Sequence, residues 1–162
     1  MIRAVDTESR ASERDHLSLR LWLRLLACTN LIESRARSSL RLDFDTTLPR
    51  FDLMAQLERN PTGLRMSEIS RRMMVTGGNI TRITDQLVDE GLVAREPVPG
   101  DRRAYTVRLT AAGRRAFAAM AARHEAWIVE MFSVLTHAQR GQLYSLLAKL
   151  KTHVTRLERD SR

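Results

Sequence analysis

The feature that most constrains this chain is a change of hydrophobic period within residues 65–110. Apolar residues first recur at the three- and four-residue spacing of amphipathic helices, at Ile69, Met73 and Met74 and again at Ile80, Ile83, Leu87 and Val88. The segment Val75-Thr76-Gly77-Gly78 separates the two runs and contains the glycines typical of a tight turn. The pattern therefore predicts two short helices joined as a helix-turn-helix.

The period then becomes that of β-strands. Residues 92–96 and 105–109 are predicted to form the two strands of a hairpin, with Pro97, Pro99 and Gly100 at its turn. Gly91 is placed to end the preceding helix as its C′ residue. A helix-turn-helix followed by such a hairpin is a winged helix, in which one helix enters the major groove of DNA and the wing reaches the neighbouring minor groove.

A helical wheel predicts the DNA-facing side of the second helix. If Ile80, Ile83 and Leu87 point inward, the outer face carries Gly78, Thr81, Arg82, Asp85 and Asp89, flanked by Asn79 and Gln86. Thr81, Arg82 and Asn79 are the candidates for base contacts, because small and hydrogen-bonding residues near the N-terminus of a recognition helix reach base edges. Thr76 and the backbone of Gly77 and Gly78 are candidates for holding phosphate at the helix N-terminus.

The order of motifs resembles that of the MarR family of bacterial transcriptional regulators. The resemblance rests on SEIS, VTGGNITRITDQL, EGLVAREP, DRRA and RLTAAGR and extends over roughly residues 47–150. It implies a mainly α fold with a small β-hairpin wing, in which Arg102 and Arg103 occupy the wing tip and Arg103 enters the minor groove. Family members usually cap the first helix of the motif with Ser or Thr; this chain has Arg65 there, so Ser67 is expected to act as a late cap.

Composition is compatible with that function. The chain has 162 residues and a formal net charge of +8, which favours an anionic partner. Residues 61–110, however, carry 8 Arg against 6 Asp and Glu, a net charge of only +2. The acidic side chains of this region must therefore be turned away from DNA or neutralised if the arginines are to face phosphate.

Three classes are disfavoured. No nucleophile, oxyanion loop or phosphate-binding glycine motif accompanies Asp85, Asp89 and Glu90, so an enzyme is not predicted. No apolar run reaches the roughly 18 residues of a membrane span and the first residues lack the features of a signal peptide, so a cytoplasmic protein is expected. The four histidines form no HxH or HxxxH pair, and neither a metal nor a cofactor is predicted.

The segments that flank the winged helix predict a helical dimerisation scaffold. Residues 1–13 have no hydrophobic period, residues 14–45 and 111–162 form the scaffold, and residues 46–110 form the winged part of one MarR-like domain. Thr46 and Thr47 ahead of Pro49, Thr110, and Thr136 with Gln139 are predicted helix starts. Leu143, Leu147, Leu150, Val154 and Leu157 form a stripe longer than a small domain covers, which predicts a homodimer.

The single cysteine allows two interpretations of its role. Cys28 lies in the apolar run LWLRLLACTNLI, which favours a buried filler over an oxidant sensor, because such a setting raises a thiol pKa. A redox-responsive repressor sensing through Cys28 stays open as an alternative, and so does a winged-helix module that binds protein.

The signal is expected to be a small molecule. The resemblance implies an aromatic acid or its coenzyme A thioester, bound where the dimer helices meet the winged part. RLWLRLL and TLPRF supply the candidate ligand residues Arg20, Trp22, Arg24, Arg50 and Phe51. An arginine beside an apolar aromatic wall suits a planar ligand with an acidic end.

Overall fold

The computed structural model describes residues 16–73, 77–98 and 101–160, and for residues 77 and 101–104 it describes the backbone alone. Its elements follow the chain in the order α1 Leu17–Phe44, α2 Leu48–Glu58, β1 Leu64–Arg65, α3 Met66–Met73, α4 Gly77–Asp89, β2 Val93–Val98, β3 Asp101–Leu109, α5 Ala111–Met131 and α6 His137–Asp160. The predicted class, mainly helical with a small winged sheet, is confirmed. The chain divides into two compact units, Met1–His124 and Glu125–Arg162. No helix in the described ranges has the length and apolar character needed to span a membrane.

Helix α1 is buried only in its last third. Its buried residues are Ala36, Ser39 and Leu40. Leu17, Leu21 and Trp22, in the first half of the helix, are 73%, 53% and 57% exposed. A single chain therefore leaves the first half of this helix largely uncovered.

Cys28 corrects one prediction, because its side chain is exposed rather than buried. The apolar residues around Cys28 in the sequence lie on its own helix. Burial requires a second element packed against that helix, and within the described chain the buried positions of α1 begin only at Ala36. Local hydrophobicity was therefore a poor guide to the environment of this thiol.

The core of the first unit lies between α2, α3, α4 and the sheet. The fully buried side chains include Leu53 and Leu57 of α2, Ile69 of α3, Ile80 and Leu87 of α4, and Val107 of β3. Ile83 is 6% exposed, so all three residues predicted to point inward from α4 do so. Burying the face defined by these residues leaves the opposite face of α4 toward solvent.

The sheet has three strands in the order β1-β3-β2, all antiparallel. The predicted hairpin is β2 with β3, and Val93 pairs with Leu109. Strand β1 was not predicted, because two residues are too few to show a hydrophobic alternation. Leu64 pairs with Val107, and Gly63 precedes it with φ of 90°, a conformation that glycine adopts without strain.

Helix α3 begins at Met66, so the expected late cap at Ser67 is wrong. The backbone N–H of Arg65 donates to Oε2 of Glu68 at 2.9 Å. This is the half of a capping box in which the acid three residues into the helix reaches back to the cap residue. The pairing of Arg65 with Thr106 in the sheet also fixes the residue at which α3 begins, so α3 needs no Ser or Thr cap.

Helix α4 ends in the predicted glycine motif. Gly91 has φ of 69°, its N–H donates to the carbonyl of Val88 at 2.9 Å, and the N–H of Leu92 donates to the carbonyl of Leu87 at 2.9 Å. These are the two hydrogen bonds of a Schellman motif. They direct the chain from the end of α4 straight into β2.

The exit from the sheet is joined to that same turn by Thr110. Its backbone N–H donates to Leu92 O at 3.0 Å, and its hydroxyl donates to Gly91 O at 2.7 Å. The hydroxyl oxygen also accepts from the N–H of Gly113 at 2.9 Å, which confirms Thr110 as the N-cap of α5. A Cβ on Gly113 would lie 1.9 Å from Leu92 O, so α5 approaches the turn at a distance that only glycine permits.

We predict that Gly113→Ala destabilises the protein, because the added methyl group must push α5 away from Leu92. The expected loss in the free energy of unfolding is about 1–3 kcal/mol or more, despite the better helix propensity of alanine. Gly141→Ala in α6 is the matched control, since no described atom lies within 4 Å of a Cβ there. Urea unfolding should show that variant unchanged or stabilised by up to about 1 kcal/mol, and equal effects of the two substitutions would contradict the close approach.

The second unit contains the end of α5 and all of α6. Thr136 forms both halves of the predicted capping box: its N–H donates to Oε1 of Gln139 at 2.9 Å, and its Oγ1 accepts from the N–H of Gln139 at 3.3 Å. No residue of α6 is buried. Leu150 and Leu157, on the predicted stripe, are 43% and 50% exposed.

Candidate DNA-binding surface

The outer face of α4 presents the predicted contact residues to solvent. Gly78, Asn79, Thr81 and Arg82 are all exposed, and they lie in the first half of the helix. Gly77 begins α4, so its backbone and that of Gly78 supply N–H groups that have no acceptor within the helix. Thr76 lies outside the described residues. The N-terminal half of this helix therefore offers hydrogen-bonding groups at its open end.

Thr84 was missed by the sequence analysis. It is fully buried, and its hydroxyl donates to Ile80 O at 2.8 Å and lies 3.8 Å from Sδ of Met66. A threonine in mid-helix bonds back to the carbonyl four residues earlier, which removes the cost of burying the hydroxyl. Its spacing, four residues after Ile80 and three before Leu87, is the pattern that indicates burial on the inner face of α4. Thr84 packs the inner face of α4 against the start of α3.

Three carboxylates of the winged part are paired with arginines. Asp85, on the outer side of α4, pairs with Arg95 of β2, and Glu96 of β2 pairs with Arg108 of β3. Glu90, at the end of α4, pairs with Arg50 of α2. Partially exposed pairs add little stability, but they cancel negative charge that would repel phosphate.

Three exposed arginines of α3 and α4 are candidates for phosphate contacts. Arg71 and Arg72 in the last turn of α3 and Arg82 on α4 are exposed, and no ion pair involves them within the part of the chain that the structure describes. The charges of the winged part are therefore partly sorted: Asp85, Glu90 and Glu96 are paired, and these three arginines are exposed. This arrangement favours contact of the three arginines with phosphate.

A groove of about 800 Å³ runs beside the outer face of α4. It is lined by Thr81 and Asp85 of α4, by Arg65, Met66 and Ser67 at the start of α3, and by Arg95 and Tyr105 of the sheet. Tyr105 is 45% exposed, so its ring is accessible from the groove. The groove continues the polar surface of the recognition helix toward the wing.

The backbone places Arg102 and Arg103 at an irregularity of the wing, although their side chains lie outside the described structure. Pro97 pairs with Tyr105, but Val98 pairs with Asp101, so the register of β3 jumps between these two pairs. Between these two pairs β3 therefore has three residues, Arg102 to Ala104, where β2 has none. Such a bulge bends a strand and re-aims its side chains.

The five candidate ligand residues do not form one cluster within a chain. Arg20, Trp22 and Arg24 lie on the exposed first half of α1. Phe51 is 7% exposed; its ring lies 5.4 Å from that of Phe117 and stacks on His124 at 4.7 Å between centroids. Arg50 points elsewhere, to Glu90. Phe51 therefore has the packing of a core residue that joins α2 to α5.

Asp52 marks where α2 faces both α1 and α5. Partial burial raises the pKa of its carboxyl group above the usual value, His124 of α5 opposes that shift, and Glu33 of α1 adds to it. Trp22 precedes Glu33 by 11 residues, or about 16 Å along α1. A ligand that contacts both Trp22 and Phe51 would therefore have to bridge this distance or use a second chain.

The comparisons with known proteins identify the family. A model of the MarR family matches residues 44–104. An uncharacterised HTH-type transcriptional regulator of Bacillus cereus is 30% identical over 139 residues, which cover 85% of this chain and 91% of the relative.

This chain belongs to the MarR family. The crystal structure of a MarR family transcriptional regulator from Silicibacter pomeroyi has a TM-score of 0.73 at 26% identity, with coverage of 89% of this chain and 99% of that one. Wild-type apo MarR from E. coli has a TM-score of 0.70 at 26% identity, with coverage of 78% and 94%. The MarR-family chain is thus a DNA-binding transcriptional regulator of the winged-helix type, similar to regulators and not to enzymes.

We predict that Arg82→Ala lowers the discrimination between specific and random DNA by about 1–3 kcal/mol, as expected for loss of a base contact. Titrations of both DNAs at several salt concentrations measure this effect. Arg37→Ala, at an exposed arginine of α1, is the control and should leave both affinities unchanged. An Arg82→Ala variant that weakens both DNAs equally would reassign the residue to phosphate, and no change in either would remove it from the surface.

Proposed function

We propose that this regulator is a ligand-responsive repressor that binds a pseudo-palindromic operator as a homodimer. The observation that carries the proposal is the two-sided character of α4: its inner face is fully buried, and its outer face exposes Asn79, Thr81 and Arg82 beside the ion pair of Asp85 with Arg95. A two-fold dimer presents two such helices to successive major grooves on one face of the duplex. Arg103, with Arg102, is proposed to contact the adjacent minor groove.

We predict half-sites about 10–10.5 bp apart, centre to centre, or a multiple of that spacing, because the recognition helices of a symmetric dimer must meet the same face of DNA. Sequencing of fragments that the protein selects from its source genome, followed by footprinting, measures the spacing. A single unrepeated half-site would contradict the dimeric operator. A chain that selects no sequence, and instead retains a protein partner independently of salt, would favour the alternative of a protein-binding winged helix.

Gly78 supports a close approach of DNA to the start of α4. No described atom lies within 4 Å of a Cβ built at this position, and its φ is not in the left-handed region. The folded chain therefore has no steric need for glycine there, although glycine is a poor helix former. A phosphate held by the N–H groups of the first helical turn explains why a side chain is absent.

We predict that Gly78→Ala has opposite effects on stability and function. The free energy of unfolding should rise by up to about 1 kcal/mol, while operator affinity falls because the methyl group blocks the phosphate. Gly141→Ala is the control: it should give a similar gain in stability with no loss of affinity. Retained operator affinity in Gly78→Ala would show that DNA does not approach this part of the helix.

Dimerisation is proposed through the exposed apolar residues of α1 and α6. Leu147, Leu150, Val154 and Leu157 recur on one side of α6 and are between 39% and 50% exposed, and Leu17, Leu21 and Trp22 on α1 are more exposed still. Each large apolar side chain contributes about 1.5–3 kcal/mol when fully buried. A second copy that covers these residues removes their apolar surface from water.

We predict that Leu150→Glu with Val154→Glu converts the dimer to a monomer and abolishes tight operator binding, because the two charges would be buried unpaired at the interface. Ser145→Glu with Thr152→Glu adds the same charge to the opposite side of α6 and is the control. Analytical ultracentrifugation measures the association state. A Leu150/Val154 variant that stays dimeric would move the interface away from α6.

The signal is proposed to be a small aromatic acid or its coenzyme A thioester that lowers operator affinity. The support is the cationic and aromatic character of Arg20, Trp22 and Arg24 on α1. Cys28 is exposed in the single chain, and a redox signal through this thiol is the competing proposal. Release of operator by peroxide in the wild type, but not in Cys28→Ser, would select the redox signal.

A further inference from the structure

The groove beside the outer face of α4 lies between the recognition helix and the wing. Thr81 and Asp85 of α4 line it, together with Arg95 and Tyr105 of the wing strands and with residues 65–67, where β1 passes into α3. All of these residues belong to the first compact unit. The groove is thus bounded by the two elements that the proposed function places on DNA.

The shape of duplex DNA specifies what lies between two such elements. A major groove and the minor groove next to it are separated by one sugar–phosphate strand. In the proposed function, α4 enters the major groove and the wing reaches the adjacent minor groove. One sugar–phosphate strand must then cross the protein surface between α4 and the wing, which is where this groove lies.

The charges of the groove favour a phosphate strand. Its one acidic lining residue, Asp85, is paired with Arg95. Arg65 is exposed, and no ion pair of its guanidinium is found within residues 16–73, 77–98 and 101–160. The lining residues therefore carry one uncompensated positive charge, that of Arg65. A guanidinium can donate two parallel N–H bonds to the oxygens of one phosphate.

The folded chain holds Arg65 by its backbone and not by its side chain. Arg65 pairs with Thr106 in the sheet, and its N–H donates to Oε2 of Glu68 at 2.9 Å. Glu68 itself does not line the groove. MarR-family chains usually have Ser or Thr at this position, where a hydroxyl can cap α3. A contact outside the folded chain explains why this protein has an arginine there instead.

Tyr105 supplies an uncharged donor on the wing side of the groove. Its side chain is 45% exposed, and its phenol can donate a hydrogen bond. A hydroxyl that donates to a phosphate oxygen strengthens binding without adding positive charge. The groove therefore has one charged and one uncharged donor on different elements, and their contributions can be measured separately.

We propose that this groove seats one sugar–phosphate strand of the operator, with the guanidinium of Arg65 on a phosphate and the hydroxyl of Tyr105 donating to the same strand. The inference rests on the proposed function for the placement of α4 and the wing. Both contacts are independent of base sequence, so they fix the register of α4 on the duplex and strengthen binding to every sequence alike.

The first test measures affinity for random duplex DNA at several salt concentrations. Arg65→Ser should bind more weakly, and its slope of log affinity against log salt concentration should be shallower by about 0.9 per chain, the contribution of one phosphate contact. Arg65→Lys keeps the charge and should keep the wild-type slope. Tyr105→Phe should weaken binding and leave the slope unchanged. Arg37→Ser, at an exposed arginine of α1 that pairs with Glu33, is the matched control and should bind like the wild type.

Thermal unfolding separates this effect from a loss of structure. Serine at position 65 can cap α3, so Arg65→Ser should unfold at the wild-type temperature or above it. A wild-type salt slope in Arg65→Ser, or a slope in Arg65→Lys as shallow as that in Arg65→Ser, would overturn the phosphate contact of Arg65. Undiminished affinity in Tyr105→Phe would remove the tyrosine from the contact.

The second test locates the contact on DNA. Each phosphate of the selected operator is replaced in turn by an uncharged methylphosphonate, and the affinities of the wild type and Arg65→Ser are compared. One replacement in each half-site should weaken the wild type but not Arg65→Ser, because the variant has already lost that contact. This phosphate should lie on the strand between the major groove that α4 reads and the neighbouring minor groove. Penalties that are the same in both proteins at every phosphate would contradict the site.

Failure of this site and failure of the proposed function give different results. A regular operator that Arg65→Ser binds with the wild-type slope would refute the strand site and leave the proposed function in place. A chain that selects no operator, but whose binding to random duplex DNA has a shallower slope in Arg65→Ser, would refute the operator and retain Arg65 as a phosphate contact.

Discussion

The rest of the structure depends on one close approach, that of the first turn of α5 to the carbonyl of Leu92. Gly113 permits the approach, and Thr110 holds it by bonding the turn after α4 and the start of α5 at the same time. The turn itself is closed by Gly91. Because α4, the two wing strands and α5 meet here, the orientation of the recognition helix and that of the wing are set by one small group of backbone contacts. This geometry explains the motif LTAAG. The hydroxyl of Thr110 both donates and accepts a hydrogen bond, and Gly113, three residues later, has no Cβ to obstruct the approach.

Charge pairing then decides which arginines are available to DNA. The winged part has almost as many acids as arginines, so composition predicts only a weak electrostatic attraction. Arg95 and Arg108 neutralise Asp85 and Glu96 across adjacent elements, and Arg82 on the outer face of α4 is left exposed. Partially exposed pairs of this kind add little to stability. Their importance here lies in the potential that remains at the surface once the carboxylates are compensated.

The arginine in the first turn of α2 differs in its environment from the arginines of the wing. Arg50 lies between helices, is largely buried and has one donor without an acceptor, whereas Arg95 and Arg108 lie at the surface of the wing. The pair of Arg50 with Glu90 joins α2 to the residue that follows α4, and only its arginine is largely buried. Loss of Glu90 would leave that guanidinium without its carboxylate, which costs more than the loss of a pair at the surface.

The sequence by itself determined the parts of the fold that depend on neighbours along the chain. The helical period of α4, the glycine that ends it, and the Thr110 and Thr136 caps are local features, because each involves residues within four or five positions of one another. Tertiary structure decided the rest. The pairing of β1 with β3, the burial of Thr84 against α3, and the exposure of Cys28 on the uncovered part of α1 all depend on segments distant in sequence. The ion pair of Arg50 also depends on tertiary structure. Forty residues separate Arg50 from Glu90, and no periodicity specifies which carboxylate a folded chain brings to a given guanidinium.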